Sequence, residues 1–276
     1  MTAFAPDWLY LREPADAAAR ATELVDTLRE NLPDGELVIR DLGCGTGSLG
    51  RWLAGRLPGA QRWILHDHDT ELLGHARRNL PRTSLDGSPV DVVAEQRDVT
   101  ALRTADLAGT SLVTASALLD LLTKDEVTAL ATAIVEAGCA ALLVLSVTGR
   151  VELTPADPLD DEVAAAFNAH QRRVTPAGRR LLGPAAADVV ATAFGRLGAL
   201  VFRAGSAWRL GPDQSALQHQ WLEGWVGAAV EHQPDLGPAA DVYLQRRLEM
   251  AAAGELHAVI HHGDLLVLPP SREAAA

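Results

Sequence analysis

Apolar positions along the first half of the chain alternate between two periods. Ala21, Leu24, Val25, Leu28 and Leu32 recur at helical spacing and predict a helix over 14–32. Pro14 suits its first turn, and Pro33, Asp34 and Gly35 end it. A β-rich run, Glu36 to Leu42, leads through a glycine loop into a helix that reaches about Gly55. Further strands are predicted over 62–67, 90–97, 111–115 and 139–147. Helices are predicted over 70–79 and after the fourth strand through Glu136. The run from Cys139 to Val147 is apolar throughout, as in a strand buried on both faces. Strand and helix in alternation predict a parallel, doubly wound sheet.

The pattern changes after residue 149. Pro155, Pro158 and Pro176 surround a helix over 159–173, and a further helix over 185–197 leads to a strand near 199–203. Two helices, 213–232 and 238–253, precede a last strand, Leu256 to His262, joined by Asp264 to Leu268. The tail PPSREAAA is expected to fray. No linker separates two independent units. The predicted fold is therefore α/β: a doubly wound, mostly parallel seven-stranded sheet with a helical cap inserted after the fifth strand.

Composition narrows the partners. The net charge is −12, opposite to the basic excess of a domain that tracks phosphate backbones, so nucleic acid is not expected. Two cysteines in 276 residues cannot form a disulfide framework. Cys44 and Cys139 read as free thiols in a reducing compartment. The first residues, MTAFAPDWLYLREPAD, show neither the basic nor the apolar part of a leader. No uncharged apolar run approaches the ~18 residues of a membrane span. A cytoplasmic location away from membranes is expected. Aromatics make up 4% of the chain, yet six of them are Trp, so the places where Trp falls carry information.

The first candidate site is Asp41-Leu-Gly-Cys-Gly-Thr-Gly47, between a predicted strand and helix. Glycines there let the chain turn tightly and let a ligand approach the backbone. Gly45, Gly47 and Gly50 also match the dinucleotide fingerprint G-x-G-x-x-G, which keeps a nicotinamide-dependent oxidoreductase open. Asp41 argues against it: a carboxylate is a poor neighbour for a pyrophosphate and a good one for an ammonium. The loop also carries Gly43, giving Gly43-x-Gly45-x-Gly47.

This loop resembles the first motif of class I S-adenosylmethionine-dependent methyltransferases. Trp63-Ile-Leu-His-Asp67, followed by the helix from Thr70, resembles their second motif. Asp98, in Gln96-Arg-Asp-Val99, resembles the acid that closes their third strand. The resemblance runs over about 36–147, with a compatible ending over 199–268. It implies that Asp67 accepts both ribose hydroxyls, that Asp98 takes the adenine amino group and that Val99 packs on the ring. Leu112 to Ser116 would end where cofactor meets substrate. An N-terminal segment often folds over the cofactor in this family, so Arg12 would meet the methionine carboxylate. The implied cofactor set is Arg12, Asp41, Gly43, Gly45, Gly47, Asp67, His68, Asp98, Val99 and Ser116. The second motif departs from the pattern at Asp69, where a small hydroxyl residue is common.

The implied organisation is a single methyltransferase domain over 1–276. It comprises an N-terminal lid helix (1–35), a cofactor-binding half (36–148), a helical cap insertion (149–198) and a C-terminal substrate-side half (199–270). The implied reaction is in-line transfer of a methyl group from S-adenosylmethionine to a small-molecule O- or N-nucleophile, leaving S-adenosylhomocysteine. A binding protein without methyl transfer is the other alternative. The sequence leaves the acceptor and the oligomeric state open.

The remaining candidates concern the acceptor. Val163, Phe167, His170 and Val174 share a helical stripe. His170 there packs beside Phe167 or projects from the cap as a general base. Asp120, one helical turn beyond Ser116, is the second catalytic candidate. Asn168 lies on a neighbouring face and can orient a polar substrate. Trp8, Tyr10, Trp208 and Trp221 fall in the segments expected to shape lid and pocket, with Trp221 and Trp225 four apart on one helix face. They are core packing or an aromatic wall. His66 to Asp69 and His261, His262 and Asp264 resemble metal ligands by type. Adjacent strand residues point to opposite faces, however, so no metal is expected.

Overall fold

The computed structural model describes residues 5–270; the last six residues of the tail lie outside the described residues. Eight strands form one sheet: β1 (Leu37–Leu42), β2 (Gln61–Asp67), β3 (Val90–Gln96), β4 (Leu112–Ser116), β5 (Ala140–Thr154), β6 (Leu200–Gly205), β7 (Trp208–Leu210) and β8 (His257–Leu268). Their order is β3-β2-β1-β4-β5-β8-β6, with β7 paired to β8. Along that order the strands from β3 to β5 run parallel, and β8 runs antiparallel to β5, β6 and β7. The doubly wound, mostly parallel sheet is as the sequence predicts. It has eight strands and not seven, because the three residues of β7 are too short to show a period.

The helices are α1 (Pro6–Ala19), α2 (Thr22–Glu30), α3 (Ser48–Ala54), α4 (Thr70–Asn79), α5 (Lys124–Ala137), α6 (Asp160–Gln171), α7 (Ala186–Arg196), α8 (Ser215–His232) and α9 (Gly237–Ala252). One core layer packs α2 and α3 on the sheet around Leu28, Ile39, Leu53 and Trp63. The other packs α5 and α7 around Val113, Ile134, Leu143 and Phe194. Truncating one such buried side chain to Ala costs about 2–5 kcal/mol. No helix among the described residues is long and apolar enough to cross a membrane.

Three expectations need correction. The single helix over 14–32 is two helices, broken at Arg20 and Ala21, and Pro14 lies inside α1. No local breaker marks the break; the Ala21 N–H is taken by a buried carboxylate, Asp264, 2.9 Å away. The fifth strand continues to Thr154, so residues 149–154 are not part of a cap. Paired with β8, it forms a long antiparallel ribbon that leaves the main sheet. Finally, α7 belongs to the sheet layer. The helices packed on the outer end of the ribbon are α6, α8 and α9, in a third core with Trp225 and Tyr243.

The chain runs outward through β1, β2 and β3, then returns to β4 beside β1. Ligands in open α/β sheets bind at such a reversal, beyond the carboxyl ends of the strands.

Candidate active site

The glycine loop stands at this reversal. Gly43, Gly45 and Gly47 all have positive φ, at 61°, 55° and 86°. Gly47 is the N-cap of α3, and a Cβ there would meet the Ala76 Cα of α4 at 3.0 Å, so only glycine fits. The Gly45 N–H donates to Asp67 Oδ2 at 2.9 Å, and Asp67 Oδ1 accepts from the Asp69 N–H at 3.0 Å. Asp67 is thereby fixed at the end of β2. Asp69 instead caps α4, accepting from the N–H groups of Glu71 and Leu72.

A cavity of about 450 Å³ opens over the ends of β1, β2 and β4. Asp41, Gly43, Gly45, Asp67 and His68 line it, and so do Val99, Ser116 and Arg12. Two residues of the expected cofactor set are absent from its lining. Gly47 makes the turn beneath it. Asp98 is exposed and caps the turn after β3, accepting from the Thr100 hydroxyl and N–H, which hold its carboxyl below the usual range.

Asp41 is the unusual group. It is 1% exposed. Its Oδ1 accepts from the Thr114 hydroxyl at 2.7 Å, while Oδ2 has no partner. Burial pushes its carboxyl up to about 7, against the Thr114 hydrogen bond and the nearby Arg20 guanidinium. Arg20 is itself buried and donates to the hydroxyls of Ser48 and Ser116. A buried carboxylate oxygen without a partner is costly. A ligand with a cationic group would complete it, and the size of the cavity suits a cofactor. These residues fit S-adenosylmethionine: an acid for its ammonium, Asp67 for a diol, and Val99 for a ring.

A second chamber, of about 280 Å³, abuts the first. Arg12, Ala117, Leu121, Arg173 and Leu181 line both. Ala117 holds a positive φ of 51°, a strained conformation at the junction of the two cavities. The chamber brings together Trp8, Asn168, Trp208, Trp221, His170 and Asp120. Tyr10 is elsewhere: it is exposed, hydrogen-bonded to His75 and Asn79, and lines neither cavity. Burial pushes the Asp120 carboxyl up to about 6. Burial and the adjacent Arg173 keep His170 below its ordinary value, against the pull of the Glu231 carboxylate. Its Nδ1 lies 3.4 Å from Arg173 Nη1 and its Nε2 lies 3.4 Å from Glu231 Oε2.

Trp221 and Trp225 stack at 5.1 Å with planes 16° apart, as their spacing implies. Helix α1 forms the partition. Arg12 pairs with Asp16 through two hydrogen bonds of 3.0 and 3.1 Å and lies 5.0 Å over the Trp208 ring. Asp16 also accepts from Trp208 Nε1 at 2.9 Å. Sequence reasoning missed Asp16, although the Arg12–Asp16 spacing of four signals it. It also missed Arg20, Arg173 and Asp264. Asp264, set aside as a metal ligand, accepts from the Ala21 and Leu145 N–H groups and the Ser206 hydroxyl. Nothing local foretells those partners.

Residues 39–137, from β1 to α5, match a family model described as a methyltransferase domain. No curated protein matches the chain. Among solved structures, the cyclopropane synthase MmaA2 from Mycobacterium tuberculosis is similar at a TM-score of 0.51 and 11% identity. The match covers 96% of this chain and 94% of that one, and shows a shared fold. A methyltransferase from Geobacter sulfurreducens, solved with S-adenosyl-L-homocysteine, matches at a TM-score of 0.44 and 15% identity, over 96% of this chain and 99% of that one.

Proposed function

We propose that the chain is a class I S-adenosylmethionine-dependent methyltransferase, a reading that the methyltransferase-domain match over residues 39–137 supports, and that it methylates an oxygen or nitrogen of a small molecule held in the aromatic chamber. The observation that carries this reading is the junction of the two cavities. A glycine cradle with an unpaired buried acid opens, at Ala117, onto a chamber holding a second carboxyl, that of Asp120.

S-adenosylmethionine, when bound, supplies an electrophilic methyl group on a cationic sulfur. Asp41 offers its free oxygen to the ammonium, Asp67 accepts from the ribose hydroxyls, and Val99 supports the adenine. Arg12, already charge-paired with Asp16, closes the cavity from α1. Asp120 takes the acceptor's proton. Its carboxyl, raised to about 6, is mostly ionised at pH 7 and still basic enough to be an efficient base. His170 forms part of the chamber wall beside the acceptor, its ring positioned by Arg173 and Glu231, which face its two nitrogens. The adjoining cavities hold both reactants in position, and methyl transfer needs little else.

The charge of −12 favours a small acceptor over a nucleic acid. Two free, buried cysteines fit a cytoplasmic setting. The test uses methyl-labelled cofactor and a cell extract fractionated by size. Label in the low-mass fraction, lost in Asp120→Asn, supports the reading. Label confined to protein or nucleic acid, or no label at all, overturns it.

A further inference from the structure

Positive charge is left over at one point of the site. Five arginines line the two cavities: Arg12, Arg97, Arg150, Arg173 and Arg179. Four are ion-paired, Arg12 with Asp16, Arg97 with Asp106, Arg150 with Glu152 and Arg179 with Glu126. Arg173 alone of the five has no carboxylate within 4 Å among the described residues. It also stands where the cavities meet. Of the five residues that line both, only Arg12 and Arg173 have polar side chains.

The guanidinium is held but not used up. Its Nη1 donates to the His170 carbonyl at 3.1 Å and lies 3.4 Å from His170 Nδ1. Its Nε and Nη2 have no partner among the described residues, and neither is a buried unpaired atom, so both are open to a ligand. Asp120, the one acid that lines the second chamber, feels Arg173 but forms no ion pair with it. A cationic acceptor would satisfy Asp120 and leave Arg173 facing a like charge. A neutral acceptor would leave the guanidinium uncompensated. An oxyanion meets its two free N–H edges with charge-assisted hydrogen bonds. One unpaired positive charge, with Asp120 in the same chamber, matches a monoanion and not the nearly double charge of a phosphate monoester. A carboxylate whose lone pairs are engaged in this way is an anchor and a poor nucleophile.

Resting on the methyltransferase reading, we propose that the acceptor is a carboxylic acid: its carboxylate pairs with Arg173, and a hydroxyl or amino group of the same molecule faces Asp120 and receives the methyl group. Arg173 thereby selects the acceptor and sets its orientation. The reacting hydroxyl or amine gives its proton to Asp120 and its lone pair to the methyl carbon. The bond from that carbon to the cofactor sulfur breaks, and its electron pair leaves with the sulfur.

Calorimetric titration tests this with four probes that differ in one group: 3-hydroxybenzoate, neutral 3-hydroxybenzamide, cationic 3-hydroxybenzylamine and 3-hydroxyphenyl phosphate. Each is titrated with and without S-adenosylhomocysteine. Binding of 3-hydroxybenzoate about tenfold or more tighter than the other three, the effect of one charged hydrogen bond, is the expected result. Arg173→Gln should bring 3-hydroxybenzoate to within about threefold of the amide, and Arg173→Lys should keep most of the preference. Both variants should bind S-adenosylhomocysteine within about twofold of the parent, since the cofactor cradle is untouched. Equal or tighter binding of the amide or the amine, or no binding of any probe to protein that binds S-adenosylhomocysteine, overturns the proposal. A preference for the phosphate overturns it too, in favour of a dianion. So does an Arg173→Gln protein that keeps the acid preference and loses S-adenosylhomocysteine, which would assign the guanidinium to the cofactor. An acid preference in folded protein that fails to bind S-adenosylhomocysteine would instead sink the methyltransferase reading and leave the acid site standing.

Discussion

The two cavities are built in opposite ways. Around the first, backbone N–H groups of the loops at the strand ends hold Asp67 through Gly45 and Asp69, Asp69 caps its own helix, and Asp41 alone among these acids keeps an unpaired oxygen. Around the second, the side chains arrive from α1, the turn after β4, β5, α6, α8 and β8, and several polar atoms stay unpaired. The first is a preformed cradle for one cofactor. The second is a chamber finished by whatever enters it. A fixed cofactor needs the same local backbone every time, whereas an acceptor pocket is assembled by packing distant segments.

Asp264 ties the break between α1 and α2 to β5 and to the turn before β7, so its loss tests how firmly α1 is set beside the two cavities. Asp264→Ala leaves the Ala21 and Leu145 N–H groups and the Ser206 hydroxyl without their acceptor. At about 1–3 kcal/mol for each of these three stranded groups, urea unfolding should show a loss of about 3–9 kcal/mol. A loss below about 1 kcal/mol, the size of one ordinary hydrogen bond, would mean that the break between α1 and α2 is held by other contacts.

Asp120→Asn separates the cavities chemically. Methyl transfer should fall by roughly 100-fold or more, as for a lost general base, while S-adenosylhomocysteine affinity stays within about twofold. Equal losses in both would place Asp120 in the cofactor site.

Asp41 gives the first cavity a pH signature. The folded state raises this carboxyl to about 7 from 3.8, so its ionised form opposes folding. The unbound protein should therefore gain stability as pH falls from about 7 towards 4, and Asp41→Asn should be more stable than the parent at about pH 8. Cofactor binding has the opposite dependence, because the ammonium needs the ionised acid. Affinity for S-adenosylhomocysteine should weaken as pH drops through about 7 in the parent. It should be weaker by about 2 kcal/mol and flat in Asp41→Asn. Identical pH profiles for the two proteins would remove Asp41 from the site.

The smallest effect belongs to the aromatic wall. Trp221→Leu loses the stack on Trp225, about 1 kcal/mol of stability. It should raise the acceptor KM and leave cofactor affinity unchanged.

The same contrast explains what can be read from the sequence. Strands β1 to β5 announce themselves by apolar runs between glycine and helix signals, and the cradle is a motif of neighbouring residues. The ribbon of β5 and β8 reads short because Gly149 and Arg150 look like a strand end, although Val151 and Leu153 alternate correctly beyond them. The break at Ala21 depends on a carboxylate 243 positions later. Asp120, Asn168, His170 and Trp221 are legible as candidates by residue type. That they share one chamber is not, because α7 intervenes in sequence and not in space.

The central claim is that the cradle at the end of β1 receives S-adenosylmethionine. Calorimetric titration of the purified chain, above the Asp41 value of about 7, with S-adenosylhomocysteine and, separately, with NAD tests it most directly. Binding of S-adenosylhomocysteine with no heat from NAD is the predicted result. Saturable NAD binding without a response to S-adenosylhomocysteine would contradict it.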